Sequence, residues 1–290
     1  MIRSSEPLVR SAGPTGTGLL ASRSGAGWEW HRERLRRLLA KKPIAGISEE
    51  EIEAHFEGMP YRYWDRVTED ELVWGLQTVH RFLSRLATND ANESTAVMDV
   101  RHFPQQGCTK VLVCTWDRLG LLTQLAGYIS ALRLNVIRAQ VYTRADNIVL
   151  DVFWLCDSKQ GHVSDTARLR ELEFLLEGGL SEPPRFASTW ARQSHKMLPR
   201  TARISPVVTF NNTESQDRTI VTVEASERLG LLHDMLEVLN ETRVNITDAL
   251  IDTVEDVARD IFFVTDEQKS KITDPAQLKA IEKAMVDALG

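Results

Sequence analysis

The chain has 290 residues, of which 42% are apolar and 26% charged, a globular composition with length for roughly two or three domains. Its net charge of −6 argues against a general nucleic-acid binder, which presents a basic face. The longest uncharged apolar run, 119–132, has fourteen residues. A bilayer-spanning helix needs ~20, so no membrane partner is expected.

Residues 1–27 carry Gly, Ser, Thr and Pro with three arginines and one acid. A disordered tail and an organellar transit peptide share this bias, and both readings stay open. Cytoplasmic placement is expected otherwise. Residues 28–87 read as a helical segment. Leu35, Leu38 and Leu39 have helical spacing, and Ser48 to Glu51 and Thr68 to Glu71 are capping-box patterns opening two helices. The segment holds Trp28, Trp30, Trp64 and Trp74, more aromatic surface than it can bury alone. It is expected to pack on the rest of the chain or on a partner. A polar stretch, 88–95, follows as a linker.

From residue 96 the chain repeats. Arg118-Leu119-Gly120-Leu121-Leu122 recurs 110 positions later as Arg228-Leu229-Gly230-Leu231-Leu232. Asn135 then matches Asn245 in the same register, and after one lost residue Asp151, Phe153 and Asp157 match Asp260, Phe262 and Asp266. A preserved pattern with one loop deletion is the mark of a duplicated unit. Each unit reads strand, strand, helix, strand, strand, helix. In the first copy the core strand is Lys110–Thr115, the helix Leu119–Leu132 and the hairpin Asn135–Thr143 with Ile148–Cys156. In the second copy they are Thr219–Ala225, Leu229–Glu241, and Asn245–Thr253 with Asp260–Thr265. Residues 181–206 connect the copies.

The expected fold is α+β. Two ferredoxin-like domains, 96–180 and 207–290, each have a four-stranded antiparallel sheet with two helices on one face, and the helical segment precedes them. No strand closes the unit, so the extra strand at its front takes the edge that the last strand of a βαββαβ sheet would occupy. The second face of each sheet is left open, and the two copies are expected to supply partners for each other. The cysteines at 108, 114 and 156 lack metal or redox spacing; those in strands read as core.

The turn between the core strand and the first helix is the candidate site. A glycine there lets the backbone approach a ligand, and the free N–H groups of the helix start can hold a carboxylate. Asn135 and Asn245 are expected beside the turn of their own unit, offering an amide donor and acceptor to an amino-acid head group. Asp117 or Glu227 could pair with its ammonium. The candidate residues are Asp117, Leu119, Gly120, Leu121 and Asn135, with Glu227, Leu229, Gly230, Leu231 and Asn245. Arg118 and Arg228 read as solvent or interface residues, and Asp151 and Asp260 as residues that cap or pair locally.

The D/E-R-x-G-L-L turn, the Asn at the next strand and the D-x-F-x-x-x-D strand resemble ACT domains, the small-molecule-sensing modules of amino-acid metabolism. The stretch 207–289 and the segment 50–64 are similar to the C-terminal part of the bacterial uridylyltransferase/uridylyl-removing enzymes, which carry paired ACT domains of this permuted kind. The resemblance implies a free amino acid as ligand, glutamine first, and association through the sheets. At 119 and 229 the family turn more often has proline. The catalytic halves of those enzymes need a Gly-Ser turn with paired aspartates and a histidine-rich metal site. This sequence has no Gly-Ser and no Asp-x-Asp, and its one His-Asp pair is His233-Asp234. No catalytic residue, metal or cofactor is therefore assigned. Two other readings stay open: a separated part of such an enzyme working with a catalytic or PII-type partner, and a ligand-free interaction module.

Overall fold

The computed structural model describes residues 25–87, 95–157, 160–179, 204–254 and 256–290. The expected tail and both linkers lie almost wholly outside them. The helical segment contains α1 (Ala26–Lys41), α2 (Glu49–Gly58), α3 (Tyr61–Arg66) and α4 (Glu69–Leu86). Helix α4 opens on a complete capping box, with Thr68 and Glu71 bonding each other's backbone and side chain. At Ser48 only half is made, its hydroxyl accepting from the Glu51 N–H. Helix α3 was not expected from the sequence; it is a short turn after Pro60 whose Tyr63 and Trp64 are buried.

The first unit is β1 (Ala96–Phe103), β2 (Cys108–Trp116), α5 (Leu121–Ala131), β3 (Asn135–Val141), β4 (Ile148–Cys156) and α6 (Thr166–Gly179). The second is β5 (Val207–Asn211), β6 (Thr219–Ser226), α7 (Leu231–Glu241), β7 (Asn245–Val254), β8 (Val257–Thr265) and α8 (Pro275–Leu289). The copies agree in detail. Each has a bulge in its third strand, between Val136 and Arg138 and between Ile246 and Asp248. Each turns with positive φ at the same place after its first helix, Arg133 at 57° and Arg243 at 58°. As expected, the front strand takes the edge beside the first core strand.

The two sheets are not separate. Strand order is β1-β2-β4-β3-β7-β8-β6-β5, one antiparallel sheet of eight strands. The copies meet edge to edge, β3 against β7, rather than through their open faces. An edge strand exposes a row of unpaired N–H and C=O groups, and the copies satisfy each other's. The pairing is itself symmetric. Ala139 faces Ile251 and Val141 faces Ala249, and the repeat offset exchanges these two pairs. A local two-fold therefore passes between Gln140 and Leu250. Arg138 adds an ion pair to Asp252 across the seam at 2.9 Å.

On one side of the sheet, helices α5 to α8 and the inward residues of all eight strands share one core, with Val113, Phe153, Val223 and Phe262 at its centre. The other side differs between copies. Over the first unit the helical segment covers it, packing Trp64, Trp74 and Phe82 toward Leu112, Cys114, Leu150 and Val152. This is where the surplus tryptophan surface goes. Strand β4, buried at all nine positions, is apolar at every position but Asp151 for that reason. All three cysteines are buried and unpaired. The segment also reaches the second unit. Arg62 of α3 lies over the Phe263 ring at 3.9 Å and pairs with the buried Asp248.

Trp74→Ala should remove about 3–5 kcal/mol of stability in urea unfolding, because the cavity it leaves lies between helix and sheet. Phe174→Ala, at a side chain 74% exposed, should change it by less than about 0.5 kcal/mol.

Candidate functional site

Each copy makes its glycine turn in the same way. The Leu121 N–H donates to Arg118 O at 3.1 Å, and Gly120 between them has φ 75° and ψ 4°. The Leu231 N–H donates to Arg228 O at 3.1 Å, with Gly230 at φ 81° and ψ 0°. These are the third-position angles of a type II turn, which only glycine adopts without strain. Leu119 and Leu229 hold the second position, where such turns favour proline. The left-handed glycine also delays the helix. Each begins at Leu121 or Leu231, two residues later than its apolar spacing predicts.

Helix α5 has no side-chain cap. Gln124 N–H reaches Gly120 O at 2.9 Å, while the N–H groups of Leu122 and Thr123 have no backbone carbonyl partner among the described residues. They open on a cavity of about 50 Å3. One wall is the first unit's Asp117, Leu119, Gly120, Thr123, Thr143 and Asp151; the other is the second unit's Leu236, Asn240 and Asn245. The cavity lies on the seam.

The asparagines are therefore exchanged relative to the expected arrangement. Asn245 borders the turn of the first unit, and Asn135 borders the turn of the second. The cause is the antiparallel β3–β7 pairing, which carries the start of each edge strand to the helix start of the other copy. At the second turn, Asn135 Nδ2 donates to Glu227 Oε1 at 3.3 Å and Thr253 Oγ1 donates to Glu227 Oε2 at 2.7 Å. What remains beside Asn135, Glu227, Gly230 and Leu231 is about 10 Å3. Leu119 is 77% exposed at the mouth of the first cavity, and Leu121 is buried behind it. The arginines of the turn, expected as solvent or interface residues, bond within their own units. Arg118 donates to Gln124 Oε1 at 2.9 Å and Arg228 pairs with Asp234 at 2.5 Å.

Two acids stand at each turn. Asp151 lines the first cavity and Asp260 the second; both are fully buried. Among the described residues they accept only long backbone bonds, from the Tyr142 N–H at 3.3 Å and the Asp252 N–H at 3.4 Å. Burial pushes both well above the carboxylate range, with the neighbouring Asp117 and Glu227 charges adding to it. Burial raises Glu227 as well. Asp117 is reached by solvent, yet the protein packed around its carboxyl raises it too. Reading Asp151 and Asp260 as residues that cap or pair locally did not place them at the cavities. The signal lay in strand alternation, because Asp151 shares the inward parity of Val149, Phe153 and Leu155.

His233, Asp234 and Glu237 bring three donor atoms within 4.8 Å of one another, the arrangement a helix gives residues one and four apart. Asp234 is already held by Arg228, His233 is buried, and only Glu237 of the three is exposed.

Residues 214–289 match the model of the ACR family N-terminal ACT domain. The first unit repeats that fold and turn, so the chain holds two copies of one architecture. It is similar to bifunctional uridylyltransferase/uridylyl-removing enzymes. The relative from Gluconobacter oxydans is 28% identical over 257 residues, covering 87% of this chain and 26% of the relative. That from Novosphingobium aromaticivorans is 26% identical, covering 88% and 28%, and that from Nitrobacter winogradskyi 33% identical, covering 63% and 20%. The chain thus spans about a quarter of the length of the curated relatives it matches. No helix among the described residues is long and apolar enough to cross a membrane.

An acid whose pKa rises on folding costs nothing below its unfolded value, near 3.9 for Asp, and costs more as pH climbs through the folded value. Asp151→Asn keeps the acceptor for Tyr142 N–H without the charge. It should raise the unfolding midpoint at pH 7.5 and leave it nearly unchanged at pH 4, as followed by scanning calorimetry.

Proposed function

We propose that the chain is a non-catalytic regulatory protein that senses a free amino acid, glutamine first, in nitrogen or amino-acid metabolism. The observation that carries this is the seam cavity, where a helix start, an acid and an amide from two different units converge. The unpaired N–H groups of Leu122 and Thr123 suit the ligand carboxylate. Asp117 suits the ammonium, and Asn245 with Thr143 suits the polar side chain. Walls from both units give the ligand a way to act at a distance. It favours whichever arrangement of the units closes around it, and only that difference in affinity transmits a signal.

The ACT-domain match of residues 214–289 supports amino-acid metabolism as the setting, and a cytoplasmic location is part of the same reading. Because the chain spans about a quarter of those relatives, a second reading has it acting with a catalytic or PII-type protein partner. Self-association through the sheet is a further route by which the ligand could be read out.

Thermal unfolding of the full chain with each amino acid at millimolar concentration tests the sensor reading. Ligand at 100 times its dissociation constant adds about 2.7 kcal/mol, several degrees of midpoint. The expected result is a selective shift with glutamine that Asp117→Ala and Asn245→Ala each remove. No shift with any amino acid would leave the partner-dependent reading.

A further inference from the structure

The two-fold that relates the units makes two equivalent seam sites, but they are not equally open. Thr143 and Asn245 at the first correspond to Thr253 and Asn135 at the second. At the second site both of these donors end on the carboxylate of Glu227, at 2.7 and 3.3 Å. At the first site the corresponding acid is Asp117, one methylene shorter. No bond from Asp117 to Asn245 or Thr143 is formed among the described residues; Asn245 Nδ2 lies instead 3.5 Å from Thr265 Oγ1. The volumes follow. About 50 Å3 stands open at the first site and about 10 Å3 at the second, and roughly 10–15 Å3 is needed to hold a single water.

We propose that Glu227 is a built-in occupant of the second site, so that the chain binds one ligand, in the Asp117 site, and that the difference between Asp and Glu at this position decides which site is competent. This rests on the sensor reading for the ligand, but the plug itself does not. The Glu227 carboxylate marks the spot where a ligand's acceptor oxygen, from a carboxylate or a carboxamide, belongs in the open site: between Thr143 Oγ1 and Asn245 Nδ2. Asp117, drawn back by one methylene, then faces a donor on the ligand. A small molecule carrying both groups, such as an amino acid with a carboxamide side chain, meets both demands. An anion with no donor does not.

The test has two parts on the full-length chain. Titration calorimetry with L-glutamine is expected to give one equivalent per chain, rising to two in Glu227→Asp and returning to one when Asn245→Ala is added to it. Two equal equivalents in the parent chain, or one in Glu227→Asp, would overturn the plug and leave the sensor reading standing. The second part needs no ligand. Asn135→Ala should lower the unfolding midpoint in the parent chain and leave it unchanged in the Glu227→Asp background, because the bond it removes is already gone. An equal loss in both backgrounds overturns the plug. That coupling together with no heat from any amino acid would instead overturn the sensor reading and keep the plug.

Discussion

The antiparallel pairing of β3 with β7 is the constraint on which the rest depends. Each copy alone would present an edge strand with unpaired backbone groups, and joining the edges removes both liabilities at once. Because the two strands run antiparallel about a local two-fold, the beginning of each arrives at the helix start of the other copy. Asn245 reaches the Gly120 turn and Asn135 reaches the Glu227 turn by that geometry alone. A single unit holds half of a site, and the seam completes two.

A symmetric frame then acquires asymmetry from side chains. The helical segment covers the rear of the first unit, and among the described residues no equivalent segment stands behind the second. Arg62 is the exception, reaching across to Asp248 and Phe263. Asp248 sits in the second copy where Arg138 sits in the first. So the ion pair Arg138–Asp252 has no mirror image, and α3 supplies the cation the seam lacks on the other side. A charge buried this deeply is costly without a partner, which ties the helical segment to the seam as well as to the first sheet. At the turns, one methylene separates Asp117 from Glu227 and separates an open cavity from a filled one.

The paired acids show how the site strains the fold it occupies. Asp151 and Asp260 stand on inward positions of β4 and β8 where aliphatic residues would pack better. Their charged forms are disfavoured there, and each is made worse by the acid of the adjacent turn. Such a pair keeps each turn polar at a position that faces the core.

Much of this was legible in the sequence. The repeat, the alternation of strands and helices, the edge place of the front strand, and the glycine turns all follow from local pattern, because side-chain periodicity and backbone angles are decided by near neighbours. The turn residues Asp117, Gly120, Glu227 and Gly230 were readable for the same reason. The sequence also showed that the tryptophans of 28–87 need a surface, since their number exceeds what four short helices can bury. Only the tertiary structure decided that the surface is the first sheet, that the two sheets are one, and that each asparagine serves the other copy's turn. Those outcomes depend on which edges meet and in what register. That choice is made by contacts over a hundred residues apart, to which no local pattern is sensitive.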